Sequence, residues 1–319
     1  MTSTKSKNAY NKSKSTRTGQ NDNSDPSLKD VYSRVTAKII SDLEKGELTW
    51  RKPWNSAYME GNIMRPLRWN GISYTGINTI LLWATAAEKE YAQPHWMTFN
   101  QAIELKGSVR KGEKGAQIVY ADSITKQEED KNGETVTSKI PFLKTYTVFN
   151  ASQIDGLPDH FYQLPEKQIE PANLRNETLD KFFAETKADI RQGTKAFYAQ
   201  HVDYISMPPI ESFEDPTLYY STLAHEITHW SKHPQRLDRD FGRKAYCDQM
   251  YAKEELVAEL GSCFLGADLG LEPLPEERHA AYIQSWLKVL NDDKRFIFSA
   301  ASHAQKAVEY IHSLQPQII

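Results

Sequence analysis

The chain has 319 residues, 39% hydrophobic and 25% charged, and 39 Lys and Arg against 42 Asp and Glu leave a formal net charge of −3. That length holds two sizeable cores, and the near balance of charge excludes a globally basic coat, so any nucleic-acid surface has to be local. Cys247 and Cys263 are too few for a disulfide framework or a CxxC metal site, and no apolar run approaches the roughly 18 residues of a membrane span, so a cytoplasmic protein with no membrane partner is expected.

Residues 1–28 are mostly Ser, Thr, Asn and Lys, with Lys5, Lys7, Lys12, Lys14 and Arg17 making the first half basic. They read as a disordered basic tail, without the apolar core of a secretory signal. Val31, Val35, Ile39, Ile40 and Leu43 then recur at helical spacing, which predicts a helix from Leu28 to Lys45 that ends at Gly46. In the next stretch Trp50 and Trp54 flank Arg51 and Lys52. Tyr74 precedes a predicted helix from Thr79 to Lys89, and Trp96 precedes another that opens at Thr98 as N-cap. Gly107–Gly115 is a glycine-rich loop carrying Arg110, Lys111 and Lys114. Strands are expected at Ala116–Tyr120 and Lys144–Asn150, around an acidic loop at Ser123–Ser138. Aromatic rings interleaved with cations suit single-stranded nucleic acid, because bases stack on rings while phosphates meet Lys and Arg. Trp50, Trp54, Tyr74 and Trp96 are the stacking candidates, and Arg51, Lys52, Arg110, Lys111 and Lys114 the phosphate candidates. The competing reading for the tryptophans is ordinary core.

Further along, Ala196–Tyr198 and Asp203–Pro208 read as two short strands around Gln200-His201, a hairpin whose edge would suit an extended peptide. The stretch that carries the most chemistry is His225-Glu226-Ile227-Thr228-His229, set on a predicted helix by Leu218, Tyr219, Leu223, Ile227 and Trp230. Residues four apart on a helix share a face, so His225 and His229 can aim at one metal ion, with Glu226 beside the open position as general base. The loop Ser231–Gly242 does not continue as HExxHxxGxxH, since Gln235 stands six places after His229. That favours a glutamate as third ligand, and leaves His233 as a loop histidine. A second helix over Tyr251–Gly266 has an apolar face at Leu256, Leu260, Cys263 and Phe264. Beside it runs a stripe of Ala252, Glu255, Glu259, Ser262 and Gly266, where small residues admit a neighbouring helix. On that stripe Glu255 fits as third ligand and Glu259 as acceptor for a ligating imidazole N–H. Glu254 points about 100° away from Glu255 and is the less suited ligand. Two imidazoles and a carboxylate suit zinc first, with manganese, cobalt and nickel also compatible. Tyr204, Tyr219 and Tyr251 are candidates to steady an oxyanion.

These motifs, in order, carry a family resemblance. Thr36 to Gly46, Trp50 to Trp54, Tyr74 to Asn78, Trp96 to Ala102, Val109 to Gly115 and Val148 to Leu157 resemble the N-terminal domain of the ArdC antirestriction proteins, shared with TraC-type primases of conjugative plasmids. His225–Trp230, Tyr251–Leu260 and Ala281–Leu287 resemble the zincin-like domain that follows it. The likeness spans about residues 29 to 312, and the acidic insert and basic tail lie outside its motifs. It implies an α+β fold: a mixed α/β single-stranded-DNA-binding domain over 29–160, then a zincin-like metallopeptidase domain with an HExxH helix over 161–319. It also implies a plasmid-borne cytosolic protein that binds single-stranded DNA and protects incoming DNA from host restriction during conjugation. The second reading is a metallopeptidase that cuts a host protein, such as a restriction enzyme, and uses DNA binding for recruitment.

Overall fold

The computed structural model describes residues 26–51, 64–129, 135–163, 176–241, 247–271, 274 and 280–316; the expected tail therefore falls outside the described residues up to residue 25. The chain is mixed α and β. Helix α1 spans Pro26–Glu44, followed by β1 Leu67–Arg68, α2 Ile77–Lys89, β2 His95–Met97, α3 Phe99–Glu104, β3 Ser108–Val109, β4 Ala116–Glu129, β5 Thr135–Asn150 and β6 Ile154–Asp155. Then come α4 Glu177–Glu185, β7 Ile190–Gln192, β8 Phe197–Ala199, β9 Tyr204–Met207, α5 Pro216–Trp230, α6 Cys247–Leu269, α7 Ala280–Asp292 and α8 Phe296–Ser313.

Local chemistry sets several of these boundaries. Thr98 forms a capping box with Gln101 at the start of α3, satisfying two orphan amides reciprocally. Asp215 accepts from Thr217 N and Pro216 fills the first turn, which starts α5. Gly46 ends the first helical segment at φ +79°, a conformation that costs glycine little.

The larger N-terminal sheet has the order β1-β2-β5-β4, with β1 parallel to β2 and the other pairs antiparallel. The acidic loop expected at Ser123–Ser138 is mostly strand: β4 and β5 pair in register from Ala116↔Val148 to Glu129↔Thr135. The reason is composition at the pairing level. Ile124 pairs with Ile140 and Glu128 with Val136, so β-forming residues are interspersed among the acids along the ladder. The outer edge of β4 is closed by a side chain. Asn78, at the start of α2, donates to Val119 O and accepts from Val119 N, both at 2.8 Å, so it acts as a one-residue strand.

The two halves share one core. The largest buried cluster joins Ile39, Leu43, Trp50, Ile80 and Trp83 to Leu223, Ile227, Leu256, Phe264, Trp286 and Ile297. Arg65 adds a polar tie, donating to both carboxylate oxygens of Asp268 at 2.9 and 3.0 Å and to Gln305 at 2.8 Å. Two smaller clusters sit on the sheet, one with Tyr74, Leu82, Trp96, Ala116 and Val148, the other with Met97, Ala102, Ile154 and Phe161. Among the described residues no helix is long and apolar enough to cross a membrane.

Candidate metal centre and nucleic-acid residues

Helix α5 is buried along its C-terminal half, from Tyr220 to Trp230, with His225 the partly open exception. Helix α6 packs across it at very short range. A Cβ on Gly261 would stand 2.5 Å from Thr228 Cγ2, so only glycine permits this approach. The closeness brings Glu255 to both histidines: its Oε2 is 3.5 Å from His225 Nε2 and its Oε1 is 3.4 Å from His229 Nε2. The donor atoms of His225, His229 and Glu255 all lie within 4.8 Å of one another. Two imidazole nitrogens and one carboxylate oxygen, converging from two helices, form a donor set suited to a divalent cation.

Glu254 has the role that sequence reasoning gave to Glu259. His229 Nδ1 lies 3.0 Å from Glu254 Oε1. Arg239 grips that carboxylate twice, through Nε at 2.9 Å and Nη2 at 2.7 Å, and also donates to Ser231 Oγ and Thr228 O. The imidazole is thus fixed by a buried carboxylate that is itself fixed by a buried guanidinium. Arg239 lies in the loop that sequence reasoning treated only as a connection, and no spacing rule links it to the pentad. Burial works against charge on His229, but Glu254 and Glu255 outweigh it and push its pKa up to about 9. Burial likewise disfavours charge on Glu254, and Arg239 and His229 overcome it, holding that carboxyl at about 2.

Glu259 instead accepts from the indole of Trp50, Nε1 to Oε1 at 3.3 Å. It lines a cavity of about 250 Å³ together with Ala196, Thr222, His225, Glu226, Glu255, Leu274, Tyr282 and Trp286. Glu226 is 7% exposed and lines this space. Tyr282 stacks on Trp286, and its hydroxyl is 3.1 Å from that of Tyr251. Of the three tyrosines proposed for an oxyanion, Tyr251 therefore stands at the rim of the cavity. Tyr204 packs under Arg191 and against Phe197, and Tyr219 lines a separate hollow of about 510 Å³ beside Asp180 and Pro208. His233 is a loop histidine, accepting from Gln235 N at 3.2 Å.

The hairpin beside the cavity forms as expected. β9 is the central strand of the order β7-β9-β8, so β8 keeps one edge unpaired in that sheet. Arg236 ties the hairpin to α5 by donating to Asp203 and to Trp230 O, while Tyr198 donates to Asp203 at 2.8 Å.

The nucleic-acid candidates divide. Trp50 and Trp96 are 0% and 1% exposed, so neither offers a face to a base. Trp50 packs edge-on against Trp286, and Trp96 against Tyr91. Tyr74 is buried too, and burial pushes its hydroxyl up to about 12. Arg51 is 5% exposed and out of reach of a phosphate. Lys52 and Trp54 lie outside the described residues. Arg110 is engaged by Glu113, Asp155 and Ser152 O, while Lys111 and Lys114 are exposed and form no ion pair among the described residues.

Two family models match the chain. Residues 29–149 match the N-terminal domain of anti-restriction factor ArdC, and residues 177–303 match a zincin-like metallopeptidase. The metal-free crystal structure of the antirestriction protein ArdC from plasmid R388 is 48% identical with a TM-score of 0.77, covering 89% of this chain and 97% of that one. Its Mn(II)-bound structure is 46% identical at TM-score 0.76, covering 91% and 99%. The uncharacterized protein y4eC of Sinorhizobium fredii is 37% identical over 294 residues, 90% of this chain and 92% of that protein. A DNA primase TraC of Escherichia coli is 37% identical over 307 residues, but the match spans only 28% of the primase. The chain belongs to the ArdC antirestriction family, with an ArdC N-terminal domain followed by a zincin-like metallopeptidase domain.

Proposed function

We propose that this protein protects incoming plasmid DNA from host restriction endonucleases during conjugation. It binds single-stranded DNA through its N-terminal half and holds a divalent cation, zinc first, at His225, His229 and Glu255. It acts in the cytoplasm. The observation that supports this most is that one chain, similar along most of its length to an antirestriction protein, also brings three metal-ligand side chains to a common point. Cells carrying the chain should accept unmodified DNA into a restricting host at a higher frequency than cells lacking it. Equal frequencies would sink the reading.

A second reading is favoured by the surroundings of the metal cleft: the protein cleaves a host protein. A bound divalent ion would polarise a water molecule and a scissile carbonyl. Glu226, buried in the same cavity, is the carboxylate that would hold a proton there and pass it toward a leaving amine. The paired hydroxyls of Tyr251 and Tyr282 supply donors at the rim. The free edge of β8, next to Ala196 in the cavity wall, suits an extended peptide. Glu226→Gln separates the readings, because it keeps the metal ligands. Protection retained by E226Q assigns the function to DNA binding; protection lost with DNA binding intact assigns it to cleavage.

A further inference from the structure

With Trp50 and Trp96 in the core, bases have to meet other rings. The β4–β5 hairpin has two faces, and side chains alternate between them. Ala116, Ile118 and Val148 turn toward α2 in the core. Gln117 and Thr147, partners in the ladder, are exposed on the other face. Phe149 follows Thr147 on that face, and its ring lies over Gly115: a Cβ there would be 3.2 Å from Phe149 Cε1 and 2.5 Å from Thr147 Cγ2. Gly115 therefore lets the backbone next to Lys114 press against the aromatic ring. Phe99, in the first turn of α3, stands 6.5 Å from Phe149 between ring centroids, at 64°, and remains 52% exposed. Ile103, one turn on, is exposed as well.

The adjoining loop is built to present cations. Arg110 is spent on Glu113, Asp155 and Ser152 O, and Gln153 Nε2 donates to Glu113 at 2.9 Å and to Lys114 O at 3.0 Å. These bonds neutralise the loop's own acid and fix its backbone. Lys111 and Lys114 are left exposed without an ion pair among the described residues. A half-exposed phenylalanine costs hydration free energy, and two ammonium groups on the adjoining loop suit neither an apolar protein surface nor a lipid tail. A strand with π-faced bases and a phosphate chain matches both features.

We infer that Phe99, supported by Phe149, is a base-stacking platform for single-stranded DNA, and that Lys111 and Lys114 take its phosphates. The inference rests on the DNA-binding reading above and names the surface that carries it.

The test is fluorescence anisotropy of the full chain with a labelled oligothymidylate. Phe99→Ala should weaken binding by at least about fivefold, the lower end of what removing one stacked base contact does. Phe99→Tyr should restore it. Lys111→Ala with Lys114→Ala should flatten the salt dependence by about 1.4 in log–log slope, about 0.7 per lost phosphate contact. Tyr120→Ala with Tyr146→Ala, two exposed rings on the opposite face of the hairpin, should bind as the unaltered chain does. Unchanged affinity in F99A, or F99Y as weak as F99A, overturns the platform, as does a loss confined to the Tyr120 and Tyr146 variant. If the unaltered chain itself binds no oligothymidylate, the DNA-binding reading fails and the platform with it.

Discussion

Glu254 and Glu255 are neighbours on α6 that act on the same imidazole from opposite sides. Glu255 reaches the Nε2 atoms of both histidines, while Glu254 takes the Nδ1 of His229 and is clamped by Arg239. Removing a ligand and removing the group that aims it should differ in kind. Glu254→Gln leaves all three donors in place but ends the carboxylate–imidazole bond, so affinity for Mn2+ or Zn2+ should fall by roughly 10- to 100-fold. Glu255→Gln replaces a donor and should fall further. Calorimetric titration of metal-stripped protein measures both, and an E254Q protein that binds like the original would show that Arg239 and Glu254 do not orient the site. The spacing of the pentad and the stripe on the second helix put His225, Glu226, His229 and Glu255 forward from the sequence, and the structure brings the two histidines and Glu255 to one point. The role of Glu254 was not legible there, because it is fixed by an arginine from an irregular loop.

At the scale of elements, the metal cleft depends on how closely α5 and α6 lie. Gly261→Ala would put a methyl 2.5 Å from Thr228 Cγ2 and 2.9 Å from its Oγ1. Thr228 cannot swing aside cheaply, since Oγ1 donates to Ala224 O at 2.8 Å within its own helix. The helices must part instead. Alanine gains up to about 1 kcal/mol in helix propensity, but overpacking costs about 1–3 kcal/mol. A lower melting temperature together with weaker metal binding is expected. Adding Thr228→Ser, which deletes Cγ2, should recover part of both; no change in G261A would deny the tight contact.

The β8–β9 hairpin offers a pH-dependent counterpart. Arg236 holds the Asp203 carboxyl below the ordinary carboxylate range, against partial burial and with help from Tyr198. A carboxyl lowered on folding stabilises the fold above its unfolded value, about 3.9, and that contribution disappears as pH falls through the lowered value. Asp203→Asn should therefore cost about 1 kcal/mol near neutrality, after discounting for its partial exposure. The difference from the unaltered chain should close as pH falls through that lowered value. Thermal melts across pH check it; a gap that persists in acid would assign the loss to packing. Period-two and period-3.6 patterns predicted these elements, but not the length of the β4–β5 hairpin, whose polar and acidic residues masked its strand pairing.

On the scale of the whole molecule, the fate of the tryptophans separates what a sequence reveals from what it hides. Trp50 looked like a platform beside cations because its partner, Glu259, lies 209 positions away, in the other half of the chain. The indole donates to Glu259 in the wall of the metal cavity, Arg65 reaches Asp268, and α1 and α2 contribute to the core of the C-terminal helices. A chain with separate cores would unfold in two steps, with a metal stabilising only the half that binds it. One shared core predicts a single calorimetric transition. Saturating metal at about 100 times its dissociation constant should add about 2.7 kcal/mol and move that transition as a unit. Trp50→Phe keeps an aromatic ring in the core but removes the donor to Glu259. It should reduce the metal-induced shift while leaving DNA affinity close to that of the unaltered chain. Two resolved transitions, of which only one moves with metal, would show that the halves fold independently and that the indole link transmits nothing between them.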